Sequence, residues 1–193
     1  AFGTGVGCTD LLYGMVTGKS WVLVPETVKF NLVGKLPEGV YARDLILTII
    51  GTIGANGCNY QVMEFTGEGA KTLSISERMV LCNMAVEAGA KTGIFEPDEK
   101  AIEYLEAHGR KPKALFTSDP DAVYAREYTF DLSKIRPVVA KPDFVDNLVP
   151  AEEVRGVKID EAFLGSCNNG RIEDLRVGAS IIKGKKVAEK VRF

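Results

Sequence analysis

The pattern of apolar and polar positions predicts strands alternating with helices along most of the chain. Residues 21–25 and 27–34 form two apolar runs that predict strands, and the second alternates apolar with polar residues, so one of its faces should meet solvent. The spacing over residues 45–50 favours a helix, although an isoleucine-rich run is also compatible with a buried strand. Further strands are predicted at residues 60–65, 91–95 and 123–130.

One predicted helix is marked at both ends by its side chains. Ser74 and Glu77 fit a capping box, and Gly89 is a favourable residue after the last turn. Apolar residues cover most of the circumference between them, which predicts a largely buried helix. Asn83 and Glu87 are four residues apart on one face. They are either a buried acid/base or ligand-orienting pair or the solvent-exposed strip of the helix, and residue statistics favour the strip.

The middle of the chain offers little catalytic chemistry. His108 is the only histidine, and it lies at the polar end of a helix predicted over residues 100–108, where we expect it to be solvated. A catalytic pair of histidines is therefore excluded within this chain. Residues 109–121 are rich in Lys, Pro, Ser and Asp and form a candidate linker, and residues 149–157 are compatible with a short helix.

A glycine-bounded loop near the C-terminus is the strongest candidate for chemistry. The apolar run 162–164, the loop 165–171 and helical spacing from residue 172 predict a strand, a loop and a helix in that order. Cys167 then lies just ahead of a helix N-terminus, where free N–H groups favour a thiolate that binds metal or attacks electrophiles. The alternative is a buried, inert cysteine in a tight turn. A single cysteine leaves these two interpretations open.

Composition limits the possible functions. The chain is 46% hydrophobic and 26% charged, so it can bury a core and is not predicted to be disordered. Its net charge is −2 without a basic block, so nucleic-acid binding is not suggested, and its longest apolar run is too short to cross a membrane. The four cysteines show no paired spacing, and we find no signal peptide, which favours a reducing cytoplasm over a disulfide scaffold.

The two ends of the chain suggest a piece of a longer protein. The chain opens in a glycine-rich stretch, residues 3–7, without an initiating Met, and residues 187–193 have the pattern of a strand that is just beginning. The G-x-G-x-G spacing differs from the dinucleotide fingerprint. Close backbone packing is therefore a better explanation for these glycines than phosphate binding.

Four stretches of the chain resemble a known family. The motif G-S-C-T-N-G-R-x-x-D-L-R resembles residues 165–176. The motif G-A-F-x-x-G-x-G-x-T-D resembles residues 1–10, and W-x-x-V-P-E resembles residues 21–26. The motif C-N-M-A-x-E-x-G-x-K-T-G resembles residues 81–93. These motifs are typical of the large subunits of 3-isopropylmalate dehydratase, in the aconitase superfamily.

The resemblance also implies a fold. It implies an α/β protein built of aconitase-like three-layer α/β/α domains with mixed or parallel sheets. By this comparison residues 1–24 would end a first domain, residues 25–115 would form a second α/β domain, and residues 116–193 would begin a third domain that carries the cluster cysteine.

The resemblance further implies a cofactor and its ligands. Enzymes of this family hold a 4Fe–4S cluster on three cysteines, and one iron binds the substrate as a Lewis acid. Cys167 matches the first ligand, and the other two fall outside this chain. Ser166 and Asn169 beside it are expected to contribute to binding the cofactor. Asn83 and Glu87 match the active-site Asn and Glu, which reverses the preference stated above for a solvent-exposed strip.

The implied activity is that of a hydro-lyase in leucine biosynthesis. It would interconvert 2-isopropylmalate and 3-isopropylmalate through dehydration and rehydration, with a small subunit as partner in a heterodimer or heterotetramer. The substrate would be a small malate-type molecule. The alternatives with the same chemistry are homoaconitase and another substituted-malate dehydratase. The alternatives of another class are a non-catalytic aconitase-like binding fragment and a redox-thiol protein. One residue departs from the family pattern: Asn168 stands where the family usually has Thr, and an amide and a hydroxyl differ in donor geometry and volume.

Overall fold

A five-stranded mixed sheet organises the chain, and a computed structural model describes all of its residues, 1–193. The strand order is β1-β4-β3-β2-β5; the last four are mutually parallel, and β1 pairs antiparallel with β4 at one edge. A separate antiparallel pair joins β6 to β7. The strands are β1 Phe2–Thr4, β2 Thr27–Val33, β3 Val62–Thr66, β4 Thr92–Phe95, β5 Arg126–Asp131, β6 Val138–Ala140 and β7 Leu148–Pro150.

Helices connect the strands, which confirms the α/β class expected from the sequence. The α-helices are α1 Cys8–Thr17, α2 Ala42–Ile53, α3 Glu68–Thr72, α4 Ile75–Met84, α5 Glu99–Ala107, α6 Ser166–Asn169 and α7 Ile172–Ile182. Short 3-10 helices follow at Ala85–Ala88, Leu132–Lys134 and Ala151–Val154. None of the helices combines the length and the apolar character needed to span a bilayer.

Alternation along the central strand β2 builds the core. Val28, Phe30 and Leu32 are fully buried, while the residues between them are partly exposed. The ring of Phe30 lies 5.6 Å from that of Phe65 on the neighbouring strand, measured between centroids. The apolar run 45–50 is helical and supplies much of the rest of the core, so the helix rather than the buried strand was the correct prediction.

Helix α4 has the caps that its sequence predicts. The Ser74 Oγ accepts a hydrogen bond from the Glu77 N–H at 3.3 Å, and the Glu77 carboxylate accepts one from the Ser74 N–H at 2.7 Å. The helix narrows to a 3-10 turn over Ala85–Ala88 and ends at Gly89, whose φ of +76° favours glycine.

A buried ion pair beside α4 was not predicted from the sequence. The side chain of Arg78 is almost completely buried, and its guanidinium donates to both carboxylate oxygens of Asp98, at 2.8 and 2.5 Å. Asp98 also accepts a hydrogen bond from the Ala101 N–H and thereby caps α5. The Arg78 guanidinium holds the pKa of the Asp98 carboxyl below its usual value.

Three apolar segments that were predicted as strands are not strands in this structure. Residues 21–25 and 162–164 lack regular secondary structure and leave Trp21 and Phe163 mostly exposed, and residues 187–193 form only a single bridge at Arg192. A strand requires a continuous run of paired N–H and C=O groups. The last two segments are joined by only two backbone hydrogen bonds, from the Ala162 N–H to the Arg192 carbonyl and from the Arg192 N–H to the Asp160 carbonyl, which is too few for a strand. The short helix expected at residues 149–157 is limited to the 3-10 turn at Ala151–Val154.

The candidate linker at residues 109–121 has no regular secondary structure but is attached to the sheet. The Ser118 Oγ donates a hydrogen bond to the buried carboxylate of Glu64 at 3.0 Å, and the Ser118 N–H donates to Glu96 at 3.1 Å. The strand that follows, β5, pairs with β2 in the same sheet. The division of the chain into three domains remains a prediction.

The ion pair leads to a test by substitution. We expect Asp98→Asn to lower the free energy of unfolding at pH 7 by about 2 kcal/mol, because it leaves a buried guanidinium without its counter-charge while Asn still caps α5. The expected loss of unfolding free energy is smaller than for a fully buried ion pair, because Asp98 is partly exposed. Urea unfolding of both proteins measures the difference.

The pH dependence of that difference follows from the lowered pKa of Asp98. The stabilisation is complete above the unfolded-state pKa of about 4 and is lost as pH falls through the lower folded-state value. The two proteins should therefore converge in stability toward pH 2. An equal difference at pH 7 and pH 2 would contradict the assignment.

Candidate functional site

A cleft of about 450 Å³ lies where the end of α4, strand β1 with the Gly5 that follows it, and the short helix α6 meet. Asn83 and Glu87 line it from α4 and the 3-10 turn that follows, and Cys167 lines it from α6. Glu87 and Arg171 are its two charged side chains. The structure thus brings together three candidate residues that are distant in sequence.

Asn83 and Glu87 are more accessible than a buried catalytic pair would be. Asn83 is half-buried and Glu87 is exposed, because the helix turns its apolar side toward the sheet and this side toward the cleft. Of the two arrangements that the sequence leaves open, the structure shows the solvent-exposed strip rather than a buried pair. The match of these residues to an active-site Asn and Glu stays a prediction. The residues nevertheless share one face of the helix, and that face lines the cleft.

Cys167 is exposed at this cleft, which excludes a buried, inert thiol. Its Sγ donates a hydrogen bond to the Asn83 Oδ1 at 3.6 Å, across 84 positions of sequence. The sequence predicts Cys167 just ahead of a helix N-terminus. In the structure it lies instead within the four-residue helix α6. The preceding Ser166 has a φ of +73°, an unfavourable conformation for a residue other than glycine.

The other two predicted cofactor residues face away from the cleft. Ser166 and Asn169 line a separate cavity of about 460 Å³ between α2 and α7. Successive residues of a helical turn point in directions about 100° apart, so a single turn cannot present all of its side chains to one cleft. Within this chain, only Cys167 and Asn168 of α6 reach the cleft.

The glycines near the N-terminus let the backbone approach α4. A Cβ on Gly3 would lie 2.8 Å from the Cys82 carbonyl oxygen, and a Cβ on Gly5 would lie 2.9 Å from the Val86 side chain. Such contacts are too short to be tolerated without movement. This confirms close backbone packing as a reason for glycine at these positions.

The cleft contains one suitable thiol for a metal centre. No group of three or more His, Cys, Asp or Glu side chains in the chain could hold a metal ion, and all four cysteines are free. Cys82 also borders the cleft, but burial raises the pKa of its thiol to about 12. The cleft therefore fits a cluster only to the extent of one thiolate, that of Cys167.

Exposure of the thiols predicts which of them react. At pH 8 we expect iodoacetamide to modify Cys8 and Cys167 and to spare Cys58 and Cys82, because the latter two are buried and burial raises the pKa of both thiols. Peptide mass spectrometry locates the products. The protein unfolded in urea is the control, in which all four should react; native Cys82 reacting as fast as Cys8 would contradict the prediction.

Comparison with known proteins shows which protein family the chain is related to. The Aconitase family (aconitate hydratase) matches residues 1–156 and 145–193. Large subunits of 3-isopropylmalate dehydratase from Heliobacterium modesticaldum and Hydrogenobaculum sp. are both 53% identical, over 100% and 97% of this chain and 46% and 44% of their own lengths. One from Methanopyrus kandleri, named large subunit 1, is 49% identical over 100% of this chain and 46% of its own length. The chain spans slightly less than half the length of these relatives, and it belongs to the aconitase family.

Proposed function

We propose that this chain forms part of the large subunit of a hydro-lyase that interconverts 2-isopropylmalate and 3-isopropylmalate by removing and re-adding water. The convergence of Cys167, Asn83 and Glu87 on one cleft carries the proposal. The names of relatives about 50% identical to the chain support the substrate. The reaction is proposed to belong to leucine biosynthesis. They also support a small subunit as partner.

The proposed cofactor is a 4Fe–4S cluster bound in part by Cys167, with its other two cysteine ligands outside this chain. When bound, it would supply an iron that acts as a Lewis acid toward a carboxylate and a hydroxyl of the substrate. The exposed thiol that lines the cleft beside Asn83 and Glu87 supports this assignment. In this structure the Cys167 thiol donates a hydrogen bond to the Asn83 Oδ1. When the thiol is deprotonated to bind the cluster, the same amide can turn its NH2 group toward the sulfur and orient it.

The remaining side chains of the cleft are suited to orientation and proton transfer. The Glu87 carboxylate is exposed to the cleft and can take a proton from water, or return one to it, at a carboxylate oxygen. Arg171 can pair with a substrate carboxylate through its guanidinium. Ser166 and Asn169 are proposed to assist cofactor binding by shaping the turn that presents Cys167.

The cofactor assignment is tested by paired cysteine variants. In the full-length large subunit, we expect Cys167→Ser to lose most of its iron and sulfide after anaerobic reconstitution, because an alcohol is a poor ligand for the cluster. Cys8→Ser is the matched control, since Cys8 is the other exposed cysteine. Equal iron contents in the two variants would remove Cys167 from the ligand set.

The role of Glu87 is tested by activity. With the small subunit present, Glu87→Gln should keep its iron but lose at least about 100-fold in kcat for 3-isopropylmalate, the usual contribution of a general acid or base. Homocitrate-type substrates, assayed in parallel with the unsubstituted enzyme, would identify a homoaconitase if they reacted faster. Full activity of the glutamine variant would contradict the role.

The 193-residue chain on its own should be inactive. It supplies only one of the three cysteine ligands that the cluster requires and lacks the small subunit. A spectrophotometric assay of isopropylmaleate formation measures this. Turnover by the isolated chain would contradict the proposed dependence on the other segments.

A further inference from the structure

One guanidinium ties α2 to the turn that carries Cys167. The Arg43 Nη1 donates a hydrogen bond to the Asn168 Oδ1 at 2.7 Å and another to the Asn169 Oδ1 at 2.7 Å. Arg43 belongs to the first turn of α2, and the contacts span 125 and 126 positions of sequence. Hydrogen bonds from a charged donor to two neighbouring amides are short and directional.

The turn that Arg43 contacts has an unfavourable backbone conformation. Ser166 has a φ of +73°, although it carries a side chain, and it immediately precedes Cys167. A non-glycine residue remains in this region only when surrounding contacts hold it there. The four-residue helix α6 is also too short to be stable through its own hydrogen bonds.

The contacts that hold the turn come from two sides. On the α7 side, the Asn169 Nδ2 donates to the Asp174 Oδ1 at 3.2 Å, and the Arg171 N–H donates to the Asp174 Oδ2 at 3.1 Å. Those groups are close in sequence, so these bonds connect the turn only to its own segment of the chain. Among side-chain hydrogen bonds to Asn168 and Asn169, only those from Arg43 connect them to the sheet-bearing part of the chain.

We propose that Arg43 is a positioning residue that holds α6 so that the Cys167 thiol faces Asn83 across the cleft. It does not itself line that cleft, so it acts through Asn168 and Asn169. Its importance for a cluster rests on the proposed function; the positioning itself does not.

The departure at position 168 is part of this arrangement. The Asn168 amide oxygen accepts hydrogen bonds from Arg43 and from the Ser166 Oγ, the latter at 2.9 Å. A Thr hydroxyl lies closer to its own backbone than an amide oxygen does, so it would not reach the Arg43 guanidinium in the same way. Asn168 and Arg43 therefore act as a pair, and Asn168→Thr should reproduce part of the effect of changing Arg43.

The test compares local opening in the cluster-free, full-length large subunit. Arg43→Lys keeps the positive charge, but its ammonium ends one bond short of the Nη1 position from which Arg43 reaches both amides. We expect amide hydrogen exchange over residues 165–171 to become about fivefold faster, and Asn168→Thr to give a smaller increase. Arg126→Ala is the matched control, because its guanidinium is also exposed and bridges two acceptors, the Gly57 carbonyl and Gln61.

A second readout separates positioning from general stability. The rate of Cys167 alkylation, divided by the rate for Cys8 in the same molecule, should rise several-fold in Arg43→Lys, because the thiol leaves Asn83 more often. Arg126→Ala should leave the ratio unchanged even if it lowers overall stability. An unchanged ratio and unchanged exchange in Arg43→Lys, or equal changes in Arg126→Ala, would overturn the proposal.

The two proposals fail in different ways. If the unsubstituted subunit binds no iron after reconstitution, the proposed function is wrong, while the exchange and alkylation results still decide the role of Arg43. If it binds iron, Arg43→Lys should release the iron faster on dilution into a chelator, and equal release rates would show that the positioning does not matter for the cluster.

Discussion

The close approach of helix α4 to the edge of the sheet is the constraint on which the site depends. A Cβ on Gly93 would lie 2.7 Å from the Cys82 Cα, and one on Gly3 would lie 2.8 Å from the Cys82 carbonyl oxygen. The helix can therefore pack directly on the backbones of β4 and β1 only because both strands lack a side chain there. This contact places Asn83 and Glu87 beside the strand edge, where the cleft forms.

The cleft is assembled from segments that are far apart in sequence. The hydrogen bond between Cys167 and Asn83 spans 84 positions, and the Arg43 contacts to the same turn span more than 120. A turn with an unfavourable φ at Ser166 is stable only when such contacts hold it, so the exposed thiol and its support form one unit. This is the arrangement expected where the geometry of a ligand has to be fixed before a cofactor binds.

Buried charged groups contribute to the fold beside apolar packing. Arg78 is buried at the start of α4 and is neutralised by Asp98 at the start of α5, so the ion pair fixes the first turns of the two helices against each other. Glu64, buried within the sheet, is satisfied instead by the hydroxyls of Ser118 and Tyr124. These polar groups are buried because each has a partner, and the partners come from distant segments.

The sequence by itself determined the local features. Alternation in β2, the capping box at Ser74 and the glycine after α4 are set by interactions within a few residues, and the structure contains all three. The motifs around Cys167 and Asn83 also identified the family. Only the tertiary structure decided that residues 21–25 and 162–164 are not strands, that Arg78 is buried and that Arg43 supports the Cys167 turn. A strand, a buried charge and a bridging hydrogen bond each require a partner from elsewhere in the chain, and periodicity carries no information about where that partner lies.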